Sequence, residues 1–203
     1  MIRTLVFLAL ASSLSAAPVR SVEQVVRSTA EPRLEIRIDP TLGYLGHIHR
    51  QAMGGKAEFD QYIFSETHGN QLGRTFIVHF EHALPGVDFS FDYPRLEMVK
   101  LGRNEYLHQT WPLENWSLFE SDDMQRLLGS RALTAPSRWL VSRYVRAVGR
   151  AKRAEIILFY LEPAGELPAP ISDLGLEGTK RALWEPIARA LALRARSVFT
   201  VKD

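Results

Sequence analysis

From residue 33 the chain alternates apolar and polar positions, with Leu34, Ile36 and Ile38 interleaved between Arg33, Glu35, Arg37 and Asp39. Successive side chains of a strand point to opposite faces, so a period of two predicts a strand with one buried face. Similar runs follow at 59–65, 74–82, 87–93, 95–101 and 104–111. In the most regular of them Val87, Phe89, Phe91 and Tyr93 alternate with Asp88, Ser90 and Asp92. The breaks hold turn formers: Gly54-Gly55, Gly69-Asn70, Pro85-Gly86, Pro94 and Gly102-Arg103-Asn104. Parallel strands need crossovers of about a dozen residues or more, so links this short predict an antiparallel meander over about 33–111.

The pattern turns helical on either side of this meander. Ser21 to Gln24 fits a capping box, and Val22, Val25 and Val26 precede Pro32, which predicts a helix over about 21–30. Ser121 can cap a short helix that Gly129 ends, and Ser137 a longer one that Gly149 ends. On a helical wheel this second segment gathers Leu140, Val141, Tyr144, Val145 and Val148 on one arc, and Arg138, Arg143, Arg146 and Arg150 on the other. Ile156 to Tyr160 is an uninterrupted apolar run, the mark of a strand buried on both faces. Residues 162–178 hold three Pro and three Gly and form a loop. A last helix is predicted over 179–197, with Leu183, Trp184, Ile187, Leu191 and Ala195 inward and Glu185, Arg189 and Arg196 outward. The elements predict an α+β fold: the meander plus one later strand, packed on one face by the C-terminal helices.

Composition adds a compartment and removes several chemistries. Arg3, the apolar run Leu5 to Ala11 and the small residues Ser12 to Ala17 follow the order of a secretory signal. The division expected is therefore a signal peptide at 1–16 and a single domain at 17–203, located in the periplasm or secreted, the short signal pointing to a bacterial source. With 46% apolar and 24% charged residues the chain can bury a core, and it offers no apolar run near the roughly twenty residues of a spanning helix. Cysteine is absent, which excludes disulfides, thiolate nucleophiles and thiolate metal sites. No nucleophile elbow and no phosphate-cradling glycine loop occurs, so the expectation leans away from an enzyme and assigns no cofactor and no catalytic residue.

Charge is divided along the chain. Residues 17–123 carry 10 Lys and Arg against 16 Asp and Glu, while 124–203 carry 14 against 7. Between Asp123 and Glu155 there are eight basic residues and no acid. With Arg138, Arg143, Arg146 and Arg150 on one helical arc, the segment is expected to face an anionic envelope surface or an acidic protein. Nucleic acid is not expected as a partner of an exported chain. The expected function is thus a non-enzymatic binding or interaction protein.

Histidine supplies the alternative. All six lie between residues 47 and 108, inside the meander. His47 and His49 would share a face of a strand and could chelate a metal ion, with Glu58, Glu66 or Glu81 as a carboxylate, which would make the protein a metal-binding protein or hydrolase. An aromatic group of Tyr106, Trp111, Trp116 and Phe119 marks the expected meeting of sheet and helices.

Overall fold

The computed structural model describes residues 24–94, 96–115 and 121–202; the signal-like segment lies outside them. The described chain is an α+β fold. Its strands are β1 (Val25–Ser28), β2 (Leu34–Ile38), β3 (Gly43–Ala52), β4 (Ala57–His68), β5 (Gln71–Ala83), β6 (Glu97–Leu101) and β7 (Asn104–Glu114). Helix α1 (Asp122–Gly129) precedes β8 (Arg138–Val148) and β9 (Ala154–Pro163), and α2 (Arg181–Ser197) leads into β10 (Phe199–Lys202).

Seven strands make one antiparallel sheet in the order β3-β4-β5-β9-β8-β7-β6. Two meanders, β3 to β5 and β6 to β9, meet edge to edge in the β5–β9 ladder. A smaller sheet, β1-β2-β10, lies over one face. The first core fills the space between the two sheets and α2, where Ile36, Phe64, Phe76, Tyr144, Trp184 and Leu191 are almost fully buried. The second core lies on the opposite face of the large sheet, under Met124 and Leu128 of α1. Strands β5, β8 and β9 are covered on both sides, which is why their sequences carry apolar residues at odd and even positions alike.

Several predicted elements stand as read. Strand β2 buries Leu34, Ile36 and Ile38, and the Ser121 hydroxyl accepts from the Met124 amide to start α1. Helix α2 buries Trp184, Leu191 and Ala195 and continues through Pro186, its sixth residue, which gives up one amide bond to the preceding turn. Leu183, expected inward, is exposed.

Four expectations are corrected. The helix expected over 21–30 is strand β1 where it is described: Val25 and Val26 are β-branched, and Val26 buries itself by pairing with Ile36. The helix expected over 137–149 is strand β8, paired on both sides, with Trp139, Val141, Tyr144 and Val145 all buried. A strand covered on both faces has no period of its own, and its apolar residues happened to fall on one helical arc. There are consequently two later strands in the large sheet rather than one. The run 87–93 alternates like a strand but pairs with none; Arg153 pins it by donating to the carbonyls of Leu84, Val87 and Phe89. Finally, the helices do not share a face: α1 and α2 cover opposite sides of the large sheet.

Candidate functional site

Helix α2 packs against β7 and β8 of the large sheet and leaves a groove against β6 and β7. The groove encloses about 630 Å³, within the range of small-ligand sites. Leu96, Leu176, Ala188, Ala192 and Leu193 form its apolar wall, and His108 and Thr110 lie on the sheet side. Leu193 is 71% exposed and Leu176 47%, an unusual placement for leucines that otherwise fill this fold's cores. Three guanidinium groups, Arg181, Arg189 and Arg196, stand along the helix side, against Glu97 as the single acid of the lining. Arg181 is ion-paired with Glu185 at 3.2 Å. Arg189 and Arg196 have no carboxylate partner among the described residues.

His108 occupies the floor. Its ring stacks on Tyr144 with centroids 4.6 Å apart, Nδ1 lies 3.3 Å from a Glu97 carboxylate oxygen, and Nε2 lies 3.0 Å from the Ser142 hydroxyl. Burial lowers its pKa, Glu97 opposes that shift and Arg196 adds to it, so the ring is held toward its neutral form. In that form Nδ1–H donates to Glu97, and Nε2 accepts from Ser142.

A second polar cluster sits on the other face of the large sheet, in the second core. The β5–β9 register sets Glu81 directly opposite Glu155, and the β4–β5 register sets Gln61 opposite His79. His79 and Glu81 are two apart on β5, so the pleat points both to this face. His79 Nε2 is 3.0 Å from Glu81 Oε2, and Gln61 Nε2 is 2.9 Å from His79 Nδ1. Tyr93 donates to Glu155 Oε2 at 2.5 Å. Burial pushes the Glu155 carboxyl up to about 7; the Tyr93 hydroxyl opposes the shift, the Glu81 carboxylate adds to it, and Arg143 opposes it. Arg143 itself lies between the rings of Tyr93 and Trp111, 5.6 and 5.5 Å from their centroids, and donates to Gln109 at 2.9 Å.

The residues singled out from sequence are placed as follows. His47 and His49 do share a face of β3, but both turn to Asp60 Oδ1, at 2.7 and 3.2 Å, and His47 stacks on Tyr62. Five of the six histidines, all but His68, lie within ion-pair distance of a carboxylate, so such a contact does not by itself mark out the His47 and His49 pair. Arg138, Arg143, Arg146 and Arg150 do not form one surface. Arg143 points to the second core, Arg146 lies over the Tyr106 ring on the opposite face, Arg138 is at the exposed start of β8 and Arg150 is in the exposed turn beyond it. The arc that joined them belonged to a helix that is not there. Of the aromatic group, Tyr106 is buried in the first core and Trp111 borders the second; Trp116 and Phe119 lie outside the described residues.

What the pattern of residues did not single out is the groove. Arg189 and Arg196 were legible as outward-facing residues of α2, but their approach to His108 depends on how α2 crosses β7. The exposed Leu193 among outward-facing arginines was the one local sign. Comparison with protein-family models, curated proteins and solved structures finds no match.

Proposed function

We propose that this is a non-enzymatic binding protein whose groove between α2 and the β6–β7 edge takes an anionic amphiphile, a molecule with an apolar chain and a carboxylate or similar head group. One observation carries the reading: exposed leucines and two arginines, Arg189 and Arg196, without a carboxylate partner among the described residues line the same groove. An apolar chain laid on Leu176 and Leu193 removes their surface from water, worth about 25 cal/mol per Å² buried. The head group meets Arg189 and Arg196, whose charges no described carboxylate answers. The expected anionic partner is thereby kept, while the cationic surface moves from residues 138–150 to α2. The signal-like residues 1–16 support a place outside the cytoplasm, where such ligands would be met in the envelope or medium. Sequencing the N-terminus of the exported chain tests that part: loss of about 16 residues is expected, and an intact Met1 on cytoplasmic protein contradicts it.

The binding itself is tested by calorimetric titration with dodecanoate and, as the neutral counterpart, dodecanol. Dodecanoate is expected to bind at one site, with the combined R189Q and R196Q substitutions weakening it about 10-fold or more, a loss of roughly 1.4 kcal/mol. Its affinity should fall with salt, because the arginines are exposed. Equal affinity for the acid and the alcohol, or no effect of the two substitutions, would refute the proposal.

A further inference from the structure

We propose that His79, Glu81 and Glu155 form a binding site for a divalent first-row metal ion such as zinc or manganese, separate from the groove and on the opposite face of the large sheet. Among the described residues they are the one group of three or more His, Asp or Glu side chains whose ligand atoms all lie within 4.8 Å of one another. A metal with bonds of about 2.0–2.2 Å holds its ligand atoms roughly 3–4 Å apart, so small side-chain rotations suffice. One imidazole and two carboxylates suit zinc and manganese, and the chain has no thiol to bias the site toward softer ions.

The sheet gives this trio a reason to need a cation. Like charges directly opposite on neighbouring strands destabilise a sheet, and Glu81 and Glu155 are such a pair, 4% and 1% exposed. The Glu81 Oε1 atom is buried with no hydrogen-bond partner among the described residues. Uncompensated buried charge and unpaired buried acceptors are both expensive. Arg143 is the cation acting on Glu155 there, so the cluster is short of positive charge whenever both carboxyl groups are ionised. A cation at the two carboxylates would bind the orphaned Glu81 oxygen directly.

Gln61 fits the role of an outer partner. Metal-bound histidines nearly always donate their second ring N–H to an oxygen acceptor, which fixes the tautomer. The oxygen and nitrogen of an amide are distinguished only by the bonds assigned to them. With the Gln61 amide turned over, its oxygen accepts from His79 Nδ1–H, and the lone pair on His79 Nε2 faces Glu81 Oε2, 3.0 Å away. Phe59 stacks on the His79 ring at 4.8 Å and Phe159 meets it edge-on, so the ring is held in place and the surroundings are dry. The half-buried Tyr93, on the unpaired strap 87–94, closes the side away from the sheet.

A proton shared by the two carboxylates would also relieve their repulsion, and it predicts no metal uptake. The test is titration of the EDTA-treated full chain with zinc and with manganese, followed by calorimetry and by metal content after desalting. One equivalent is expected to bind. E81Q and E155Q should each weaken it at least 100-fold and Q61A about 10–100-fold, while the H47Q and H49Q double variant binds like the unmutated chain. E155Q keeps the size of the side chain and removes a buried charge, so it should fold, as circular dichroism will show. Histidine ¹⁵N NMR of the unmutated chain gives a readout free of any variant: zinc should move the His79 ring signals and leave those of His47 and His49. The proposal is overturned if the chain takes up no stoichiometric metal, if uptake survives E81Q and E155Q, or if it is lost in the His47 and His49 variant instead.

Discussion

Individual side chains carry more of this account than their sequence positions suggested. Arg143 is the sharpest case. Read as one of four exposed arginines, it proves to be inserted between Tyr93 and Trp111 with a hydrogen bond to Gln109, and burial lowers its pKa while Tyr93 and Glu155 oppose the shift. Its removal should therefore cost about 2–3 kcal/mol, as for a buried polar contact that leaves partners unpaired. R138A and R150A, at exposed positions, should change stability by less than about 0.5 kcal/mol. Urea denaturation of the three variants distinguishes this from four equivalent surface charges. His108 gives a second test, in pH. Its folded pKa is lowered by burial, with Glu97 opposing and Arg196 adding, while Tyr144 and Ser142 pack against the ring from β8. Above the unfolded value of about 6.5 both states are neutral and the group has no effect. As pH falls below that value the unfolded state takes the proton first, so stability is lost on acidification. H108Q should show a smaller loss between pH 7.5 and 5.5 in the same assay, and identical pH slopes would contradict the assignment.

At the scale of elements, α2 organises the groove and depends on the first core for its place. Leu191 is fully buried there, and truncation to alanine should cost about 2–5 kcal/mol, read as a shift in the denaturation midpoint. L193A, one turn-face away and 71% exposed, should leave the midpoint nearly unchanged while weakening dodecanoate binding. Gly178 is constrained differently. A methyl group there would overlap the backbone carbonyl of Asp173, so G178A should disturb the turn that carries Leu176 to the groove. These elements also show what the chain made legible. A strand with one wet face, such as β2, announces itself by alternation, and α2 by its apolar stripe and long spacing. Strand β8 did not, because burial on both faces erased its period, and the strap 87–94 alternated without joining a strand ladder. The pieces of both sites were visible as His79, Glu81, His108, Arg189 and Arg196, but the contacts between them are not local. Glu81 faces Glu155 only through the β5–β9 ladder, 74 positions along the chain from one to the other.

The whole molecule is a two-faced sheet with a different polar site on each side. Beneath α2, one face holds an open groove that combines apolar surface with positive charge; beneath the strap, the other holds a buried cluster of one imidazole and two carboxylates. The sheet between them is continuous from β3 to β6, so both sites rest on a rigid scaffold. The charge division of the chain acquires a structural meaning at this scale, since the basic C-terminal part contributes the arginines of α2, and the acidic part contributes Glu97 and most of the histidine partners. The most direct test of the central claim is an amide NMR titration of the full chain with dodecanoate. The account predicts shifts concentrated at Leu96–Glu97, His108–Thr110 and Ala188–Arg196, with Arg138, Arg150 and the strap 87–94 unmoved. Shifts at those latter positions with a silent groove, or no shifts at all, would contradict it.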